Sequence, residues 1–390
     1  MIRRSLEGRL KAHAARYPVV AVIGPRQSGK TTLVTAAFPS RPYLSLEDPD
    51  TRSLALDDPR GFIEGLDKGT ILDEIQRVPD LLSYMQTLVD RRRGPGQYIL
   101  TGSNQFLLMK HVSQSLAGRI SILKLLPFTL SELGSEAPRR AADYIWAGAY
   151  PRIYDEGHDP ADWYLNYLET YVEKDLKDFV QVLDLDNFRR FVAVCASLCG
   201  QLINLSAIGD MIGLSHNTVK SWLAALEHSY LAFRLPPYHR NFRKRIVKTP
   251  KLYFYDTGLA CALLRLRSAE TLDVHHFYGA LFENAVVSEL RKEALHRTGR
   301  ADFFFWRDHK GAEIDCIYEP AGEPLPMEIK AAKTLKPDFF KGLQYFCDLS
   351  GLSPSSATLI HGGDRERTFR QMRVLGWRQV ACVVDSIIAH

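Results

Sequence analysis

The segment Gly24-Pro25-Arg26-Gln27-Ser28-Gly29-Lys30-Thr31-Thr32 follows an apolar run at residues 19–23 and precedes residues that can continue as a helix. The spacing Gly-x-x-x-x-Gly-Lys-Thr between a strand and a helix is typical of a phosphate-binding loop. Backbone N–H groups at such a helix start form a concave anion site, and glycines let the backbone approach phosphates. Lys30 would then reach the β and γ phosphates, and Thr31 would ligate Mg²⁺. The alternative is a plain strand-to-helix turn. We predict that residues 24–32 bind a nucleotide.

An acidic pair follows a second apolar run, 43 residues after Lys30. Residues 69–72 read as a strand and lead directly into Asp73 and Glu74. Acids often end strands, so the pair alone is weak evidence. In a chain that already carries a phosphate loop, Asp73 can hold Mg²⁺ and Glu74 can orient the attacking water.

Two further strands are predicted, at 97–101 and 120–125, with polar residues after the first and Arg119 directly before the second. Ser103 or Asn104, if not part of a plain turn, could sense the γ-phosphate from between the phosphate loop and Asp73. Arg119 could be a finger donated to the γ-phosphate of a neighbouring subunit, or a surface arginine that flanks a strand. Five apolar strands alternating with helices predict an α/β fold with a parallel sheet and nucleotide at the carboxyl ends of its strands.

Four motifs occur in order: Gly-Pro-Arg-Gln-Ser-Gly-Lys-Thr-Thr, Ile-Leu-Asp-Glu-Ile-Gln, Leu-Thr-Gly-Ser and Leu-Ala-Gly-Arg. In this order they resemble a widespread prokaryotic family of AAA-superfamily ATPases whose members end in the domain of unknown function 4143. The resemblance runs through nearly the whole chain. It implies binding and hydrolysis of ATP with Mg²⁺ and assembly into a homo-oligomer.

Length and composition set limits on the remaining functions. A chain of 390 residues suggests two or three domains, and 46% hydrophobic with 24% charged residues is ordinary globular composition. The six cysteines are scattered, as in a reducing cytosol, and the amino terminus lacks the apolar core of a signal peptide. We expect a cytoplasmic protein without a membrane partner. With a net charge of +5, nucleic-acid binding has to be argued from local clusters.

The middle of the chain predicts a winged helix. One helix is indicated by the spacing of Leu205, Ile208, Met211 and Ile212, Gly213 ends it, and Ser215 can cap a second helix with the apolar face Val219, Trp222, Leu223 and Leu226. Residues 234–251 then hold seven Lys or Arg and no acid. This pattern suits DNA contact, although winged helices also bind proteins and basic runs are often solvated. The predicted contacts are His216, Asn217, Thr218, Lys220, Arg240, Arg243, Lys244 and Arg245.

The last third of the chain predicts a nuclease-like constellation. Residues 311–318 and 326–330 alternate like strands around a turn at 320–324. If the turn centres between residues 321 and 322, Asp315 lies opposite Glu328, Glu313 lies opposite Lys330, and all four share one face.

Carboxylates and an ammonium gathered in this way suit Mg²⁺-dependent cleavage of phosphodiesters. Asp315 and Glu328 would bind the metal, Lys330 would position water, and Glu283 could complete the shell from an upstream helix. The pattern resembles the restriction-endonuclease-like superfamily, including archaeal Holliday-junction resolvases. The alternative is a ladder of cross-strand salt bridges on a fold kept only for DNA binding.

Together these patterns predict four regions. They are an ATPase core at 1–135, a helical lid at 136–187, a winged helix at 188–265 and a restriction-endonuclease-like α/β domain at 266–390, the last closed by strands at 357–361 and 379–388. The predicted function is an ATPase that acts on DNA, such as branched or broken DNA. The rival is a nucleotide-gated switch or scaffold that binds proteins and has an inert nuclease-like domain.

Overall fold

The computed structural model describes residues 2–103, 115–172, 185–239, 248–320 and 322–388. Five predicted site residues lie outside these ranges: Asn104, Arg240, Arg243, Lys244 and Arg245. The chain divides into two compact units, one formed by residues up to Phe128 with His228–Tyr230, the other by Thr129–Glu227 and Leu231–His390. Among the described residues, no helix is both long and apolar enough to cross a membrane.

The first unit is built on a five-stranded sheet in which every pair of neighbours is parallel. Its strands are β1 (Val19–Ile23), β2 (Tyr43–Ser45), β3 (Thr70–Asp73), β4 (Tyr98–Gly102) and β5 (Ile120–Lys124). Every residue of β1, β3 and β4 is buried, as expected where helices cover both faces of a parallel sheet. The helices are α1 (Glu7–Ala14), α2 (Lys30–Ala37), α3 (Pro49–Asp57), α4 (Pro59–Glu64) and α5 (Leu81–Arg92).

The strand order β2-β3-β4-β1-β5 decides which loops meet. β4 lies between β1, which leads into the phosphate loop, and β3, which ends in Asp73. The segment after β4 therefore begins between the two halves of the predicted nucleotide site. The predicted α/β class with a parallel nucleotide-binding sheet is confirmed.

The second unit begins with helices. They are α6 (Leu130–Leu133), α7 (Ala141–Ala147), α8 (Pro151–Asp155), α9 (Pro160–Tyr167), α10 (Leu185–Ser197), α11 (Leu205–Ile212), α12 (His216–His228), α13 (Thr257–Leu263), α14 (Ala269–Asp273) and the long α15 (Tyr278–Arg297). Strands β6 (Ala232–Leu235) and β7 (Lys251–Phe254) form an antiparallel pair after α12.

The helix, glycine turn and helix expected from the sequence are present as α11, Gly213 and α12. Gly213 adopts a left-handed φ of 72° at the end of α11, a conformation that glycine reaches without steric cost. The Ser215 hydroxyl accepts a 3.1 Å hydrogen bond from the backbone of Thr218 at the start of α12. The predicted apolar face of α12 is buried, and Met211 on α11 is 69% exposed.

A six-stranded mixed sheet follows α15, in the order β12-β13-β11-β10-β9-β8. Its strands are β8 (Phe303–Arg307), β9 (Glu313–Tyr318), β10 (Leu325–Lys330), β11 (Thr358–His361), β12 (Arg367–Phe369) and β13 (Met372–Gly376), with α16 (Lys341–Ser350) between β10 and β11. In the β9–β10 pair, Leu325 lies opposite Tyr318 and Met327 opposite Cys316. This offset is the one predicted from a turn centred between residues 321 and 322.

The predicted closing strand at 379–388 is wrong. Residues Ala381–Ile388 form a helix, α17, which packs against α15. Its valines and isoleucines favour strands by propensity, but packing against another helix overrides that weak preference. The strands that close the sheet are β11, which was predicted, and β12 and β13, which were not.

Candidate functional site

The phosphate loop has the backbone geometry that its motif requires. A Cβ at Gly24 would lie 1.9 Å from the Leu125 carbonyl oxygen, so only glycine fits beside that strand end. Gln27 and Gly29 have left-handed φ values of 60° and 88°, and Gly29 is the N-cap of α2. The Ser28 hydroxyl is fully buried and has no hydrogen-bond partner among the described residues. An anion held at this helix start would supply one.

Lys30 is buried in the loop at 5% exposure. Its ammonium donates hydrogen bonds to the loop's own carbonyls, at 3.2 Å to Gly24 and 2.8 Å to Pro25. Burial lowers the pKa of Lys30, whereas the nearby carboxylates of Glu74 and Asp73 act in the opposite direction. A phosphate would stabilise the charged ammonium more strongly than these carbonyls do.

Asp73 is held by hydroxyl groups from three strands or helices. Thr31 Oγ1 lies 3.1 Å from both carboxylate oxygens, Tyr43 donates a 2.7 Å bond, and Thr101 donates a third. Burial, with the bond to Asp73 next, raises the pKa of Tyr43 to about 12. Thr31 and Asp73 thus face each other as Mg²⁺ binding requires. Tyr43 was not predicted, because only the pairing of β2 with β3 brings it to Asp73.

Glu74 adopts a left-handed φ of 55°, a strained conformation for glutamate. Its carboxylate accepts a 3.0 Å hydrogen bond from Ser103 and another from Gln76. Gln76 also donates to Ser103 at 3.0 Å. The structure therefore places Ser103 beside Glu74, next to the predicted site. Gln76, within Ile-Leu-Asp-Glu-Ile-Gln, was missed, since nothing in the sequence shows that its side chain turns back.

A second cluster lies on β9 and β10. The Lys330 ammonium is 2.6 Å from Glu328 Oε1 and 3.5 Å from Asp315 Oδ2. The Ile329 backbone donates a 2.8 Å bond to Asp315. Burial, followed by the charge of Asp315, raises the pKa of Glu328 to about 8. The other Glu328 oxygen, Oε2, is buried without a hydrogen-bond partner among the described residues.

Glu283 joins this cluster from α15, as predicted, but it comes with a lysine that was assigned elsewhere. Lys251, at the start of β7, contacts Glu283 at 3.1 Å and Glu313 at 2.5 Å, and Tyr253 donates a 2.6 Å bond to Glu283. Burial, with the charge of Asp315 next, raises the pKa of Glu283 to about 7. Burial opposes the charge of Lys251, but the surrounding carboxylates outweigh it and raise the pKa of that ammonium.

Three known families match successive segments of the chain. An AAA domain matches residues 16–134, a domain of unknown function (DUF8612) matches 138–270 and another (DUF4143) matches 278–380. "Uncharacterized protein Rv2008c" of Mycobacterium tuberculosis is 32% identical over 338 residues, which cover 85% of this chain and 74% of that protein. "Uncharacterized protein Mb2031c" of Mycobacterium bovis matches to the same extent. This chain belongs to the family of these two mycobacterial proteins.

Solved structures resemble the chain only loosely. The Walker-type ATPase PABY2304 of Pyrococcus abyssi is 15% identical, with a TM-score of 0.37 over 66% of this chain and 94% of that one. The RuvB Holliday junction branch migration motor of Thermotoga maritima is 18% identical, with a TM-score of 0.33 over 60% of this chain and 90% of that one. Because these scores are low, the assignment depends on the AAA-domain match and on the geometry of the phosphate loop. The chain is a P-loop ATPase of the AAA type that ends in a DUF4143 domain.

In this ATPase, Arg119 lies far from its own phosphate loop. It precedes β5, whose Ile120 pairs with Val19 at the start of β1, whereas the loop follows Ile23 at the other end. Five strand residues span roughly 17 Å. Within its own chain Arg119 makes two hydrogen bonds to Asp90, at 2.6 and 2.7 Å, which raise the pKa of the arginine. A catalytic role is therefore open to Arg119 only toward a neighbouring subunit.

The predicted nucleic-acid surface is placed in part. His216, Asn217 and Lys220 are exposed at the start of α12, and Thr218 is half-buried. Two members of the basic run are not available to a ligand as predicted. Arg234 donates two hydrogen bonds to Glu227, and Lys251 is buried in the carboxylate cluster.

In the part of the chain that the structure describes, no three His, Cys, Asp or Glu side chains already converge as a ready-made metal site. In the cluster of Glu283, Asp315 and Glu328, lysine ammoniums lie between the carboxylates. Cys195 and Cys199 are buried, and burial raises the pKa of both thiols.

Proposed function

We propose that this ATPase acts on DNA, which it contacts through the exposed start of α12 and whose phosphodiester bonds it hydrolyses at the carboxylate cluster with Mg²⁺. The observation that carries the proposal is the gathering of Asp315, Glu328 and Lys330 on one face of two adjacent strands. Glu283 adds a fourth member from α15. Buried carboxylates beside an ammonium match the needs of metal-assisted phosphodiester cleavage.

Each residue of the ATP site would have a separate role. Lys30 would move from the loop carbonyls to the β and γ phosphates, and Thr31 with Asp73 would hold Mg²⁺, which neutralises charge on the phosphates. Glu74 would orient the attacking water, with Ser103 fixing its carboxylate at 3.0 Å. The opposed pair Thr31 and Asp73 fits a cation, since both present oxygen atoms to the same space.

The carboxylate cluster also fits a divalent cation. The buried, unpartnered Glu328 Oε2 is an oxygen that lacks a positive partner, and Mg²⁺ is a hard cation that takes oxygen ligands. Bound there, the metal would polarise the phosphodiester as a Lewis acid. Lys330 would orient the water whose oxygen forms the new bond to phosphorus while the P–O bond to the leaving nucleotide breaks. The attacking water would lose a proton to solvent, and the leaving oxygen would take up a proton from solvent.

The test is a panel of duplex, forked and four-way DNA, with binding and ATP hydrolysis measured in parallel. We expect binding that weakens steeply as salt rises, and faster ATP hydrolysis on at least one of these structures. Lys220→Ala should weaken DNA binding, because Lys220 is exposed at the start of α12. Arg234→Ala serves as the matched control, since the Arg234 guanidinium is already paired with Glu227.

Cleavage is tested on labelled DNA with Mg²⁺, with and without ATP. The intact chain should yield products that Asp315→Asn does not. Absence of DNA binding at low salt would favour the rival function, a nucleotide-gated protein scaffold. Binding without Mg²⁺-dependent products would leave a DNA-stimulated ATPase whose nuclease-like domain is inert.

A further inference from the structure

Lys251 comes from outside the nuclease-like sheet and is enclosed within its carboxylate cluster. Its side chain is 4% exposed and touches two acids, Glu283 at 3.1 Å and Glu313 at 2.5 Å. It belongs to the part of the chain that matches DUF8612, whereas both acids belong to the part that matches DUF4143. The acidic cluster is therefore assembled from two regions of the sequence.

The backbone around Lys251 is held on both sides. The Ile203 N–H bonds to the Pro250 carbonyl at 3.0 Å, and the Leu252 N–H bonds to the Gln201 carbonyl at 3.1 Å. The ammonium also lies 5.6 Å from the centre of the Phe305 ring. A lysine fixed in this way cannot turn to solvent unless the strand itself moves.

Lys330 differs from Lys251 in its exposure and in its contacts with the acids. Its side chain is 32% exposed, and its second contact, to Asp315, is a long 3.5 Å. Because solvent is close, the Lys330 ammonium can withdraw when a cation approaches Asp315 and Glu328. Lys330 contacts Glu328 through Oε1 and leaves the buried Oε2 without a hydrogen-bond partner among the described residues.

Many phosphodiesterases place two metal ions about 3.5–4 Å apart among such carboxylates. We propose that in this chain Lys251 takes the place of one of the two ions, so that the cluster binds a single divalent cation, at Asp315 and Glu328. The inference rests on the proposed Mg²⁺-dependent function. Lys251 is a positioning residue: it neutralises Glu283 and Glu313 and holds them apart from the metal.

Electrostatics supports a single cation at Asp315 and Glu328, with Lys251 neutralising the other two acids. A second divalent ion beside Glu283 and Glu313 would meet a buried ammonium that already satisfies both acids. Like charges repel strongly where water is excluded, so the ion could enter only by displacing Lys251. Loss of the ammonium would reverse the balance at Glu283, whose only ion pair among the described residues is with Lys251, whereas Glu313 would keep its 3.5 Å contact with Arg307.

The experiment is a titration of the full-length chain with Mn²⁺ in the absence of nucleotide, followed by electron paramagnetic resonance. Every chain compared, including the reference called wild type below, carries Asp73→Asn, so that the Thr31–Asp73 position of the ATP site takes no ion. We expect one tightly bound ion in the wild type and loss of that ion in Asp315→Asn. Lys251→Met, which keeps most of the side-chain volume without the charge, should bind two ions. Lys248→Met is the matched control, because Lys248 is exposed three residues away, and should bind one.

The outcomes separate the inference from the function on which it rests. Two ions in the wild type would overturn the role of Lys251 but leave a metal-dependent site. No ion in the wild type would remove both the proposed cleavage chemistry and the inference. One ion in both the wild type and Lys251→Met, with equal affinity, would also overturn the role of Lys251. If Lys251→Met does not fold, the wild-type stoichiometry still decides whether the cluster takes one ion or two.

Discussion

Replacing Glu74 by glutamine tests the hydrolytic step directly. Glutamine keeps the shape and one oxygen acceptor, so the 3.0 Å bond from Ser103 can persist. The change therefore removes the charge that would polarise water while preserving the loop. General bases contribute about 10²–10⁴-fold to rates. We expect kcat for ATP to fall by that factor, equivalent to roughly 2.7–5.4 kcal/mol in the barrier.

The affinity of Glu74→Gln for nucleotide should not fall together with kcat. The Glu74 charge favours the ammonium form of Lys30 from nearby, and it would equally repel the phosphates. The variant should therefore hold ATP at least as tightly as the wild type. The lost charge on the two hydrogen bonds from Ser103 and Gln76 should lower the free energy of unfolding by only about 1–2 kcal/mol.

The assay combines phosphate release with titration of a fluorescent ATP analogue and thermal unfolding. Lys30→Ala is the contrasting variant, which should lose nucleotide binding. Hydrolysis by Glu74→Gln at the wild-type rate would refute the assignment of Glu74. A parallel loss of binding would show instead that the loop had been disturbed.

Three further predictions concern other parts of the chain. Gly24→Ala should lower the free energy of unfolding by about 1–3 kcal/mol and weaken ATP binding, because the new methyl would lie 1.9 Å from a carbonyl oxygen. The control is Gly8→Ala, where a Cβ meets nothing within 4 Å, and it should be neutral or stabilising in the same thermal melts. Arg119→Ala should fold normally but lose ATP hydrolysis that mixing with Lys30→Ala subunits partly restores; no recovery in the mixture would argue against action in trans. Since the pKa of Glu328 is raised from 4.5 to about 8, the metal-free chain should lose stability as pH rises through that interval, and Mg²⁺ should raise Tm more at pH ~8.5 than at pH ~6. Glu328→Gln should abolish that difference in differential scanning fluorimetry.

Features encoded by short stretches were predictable. The phosphate loop is decided by nine consecutive residues, since glycine at positions 24 and 29 answers a purely local steric demand. The offset of β9 against β10 followed from the turn between them, because two strands joined by a short turn have few ways to pair. Placement of Asp315 opposite Glu328 depended on nothing else.

Predictions that depended on helical or strand propensity were less accurate. Residues 379–388 carry the valines and isoleucines of a strand, and they form a helix because α15 offers a surface for it. β12 and β13 were missed because neither carries a long alternating pattern. In each case the environment supplied by distant residues outweighed the local preference.

The sequence alone predicted a phosphate loop at a parallel sheet and placed acids at the end of β3 and within β9 and β10. Only the tertiary structure decided that Tyr43 holds Asp73, that Asp90 holds Arg119, and that Lys251 enters an acidic cluster rather than a basic wing. Lys251 and its two acids are 32 and 62 residues apart in the chain. Their meeting depends on how strands and helices pack, which side-chain chemistry at one position does not specify.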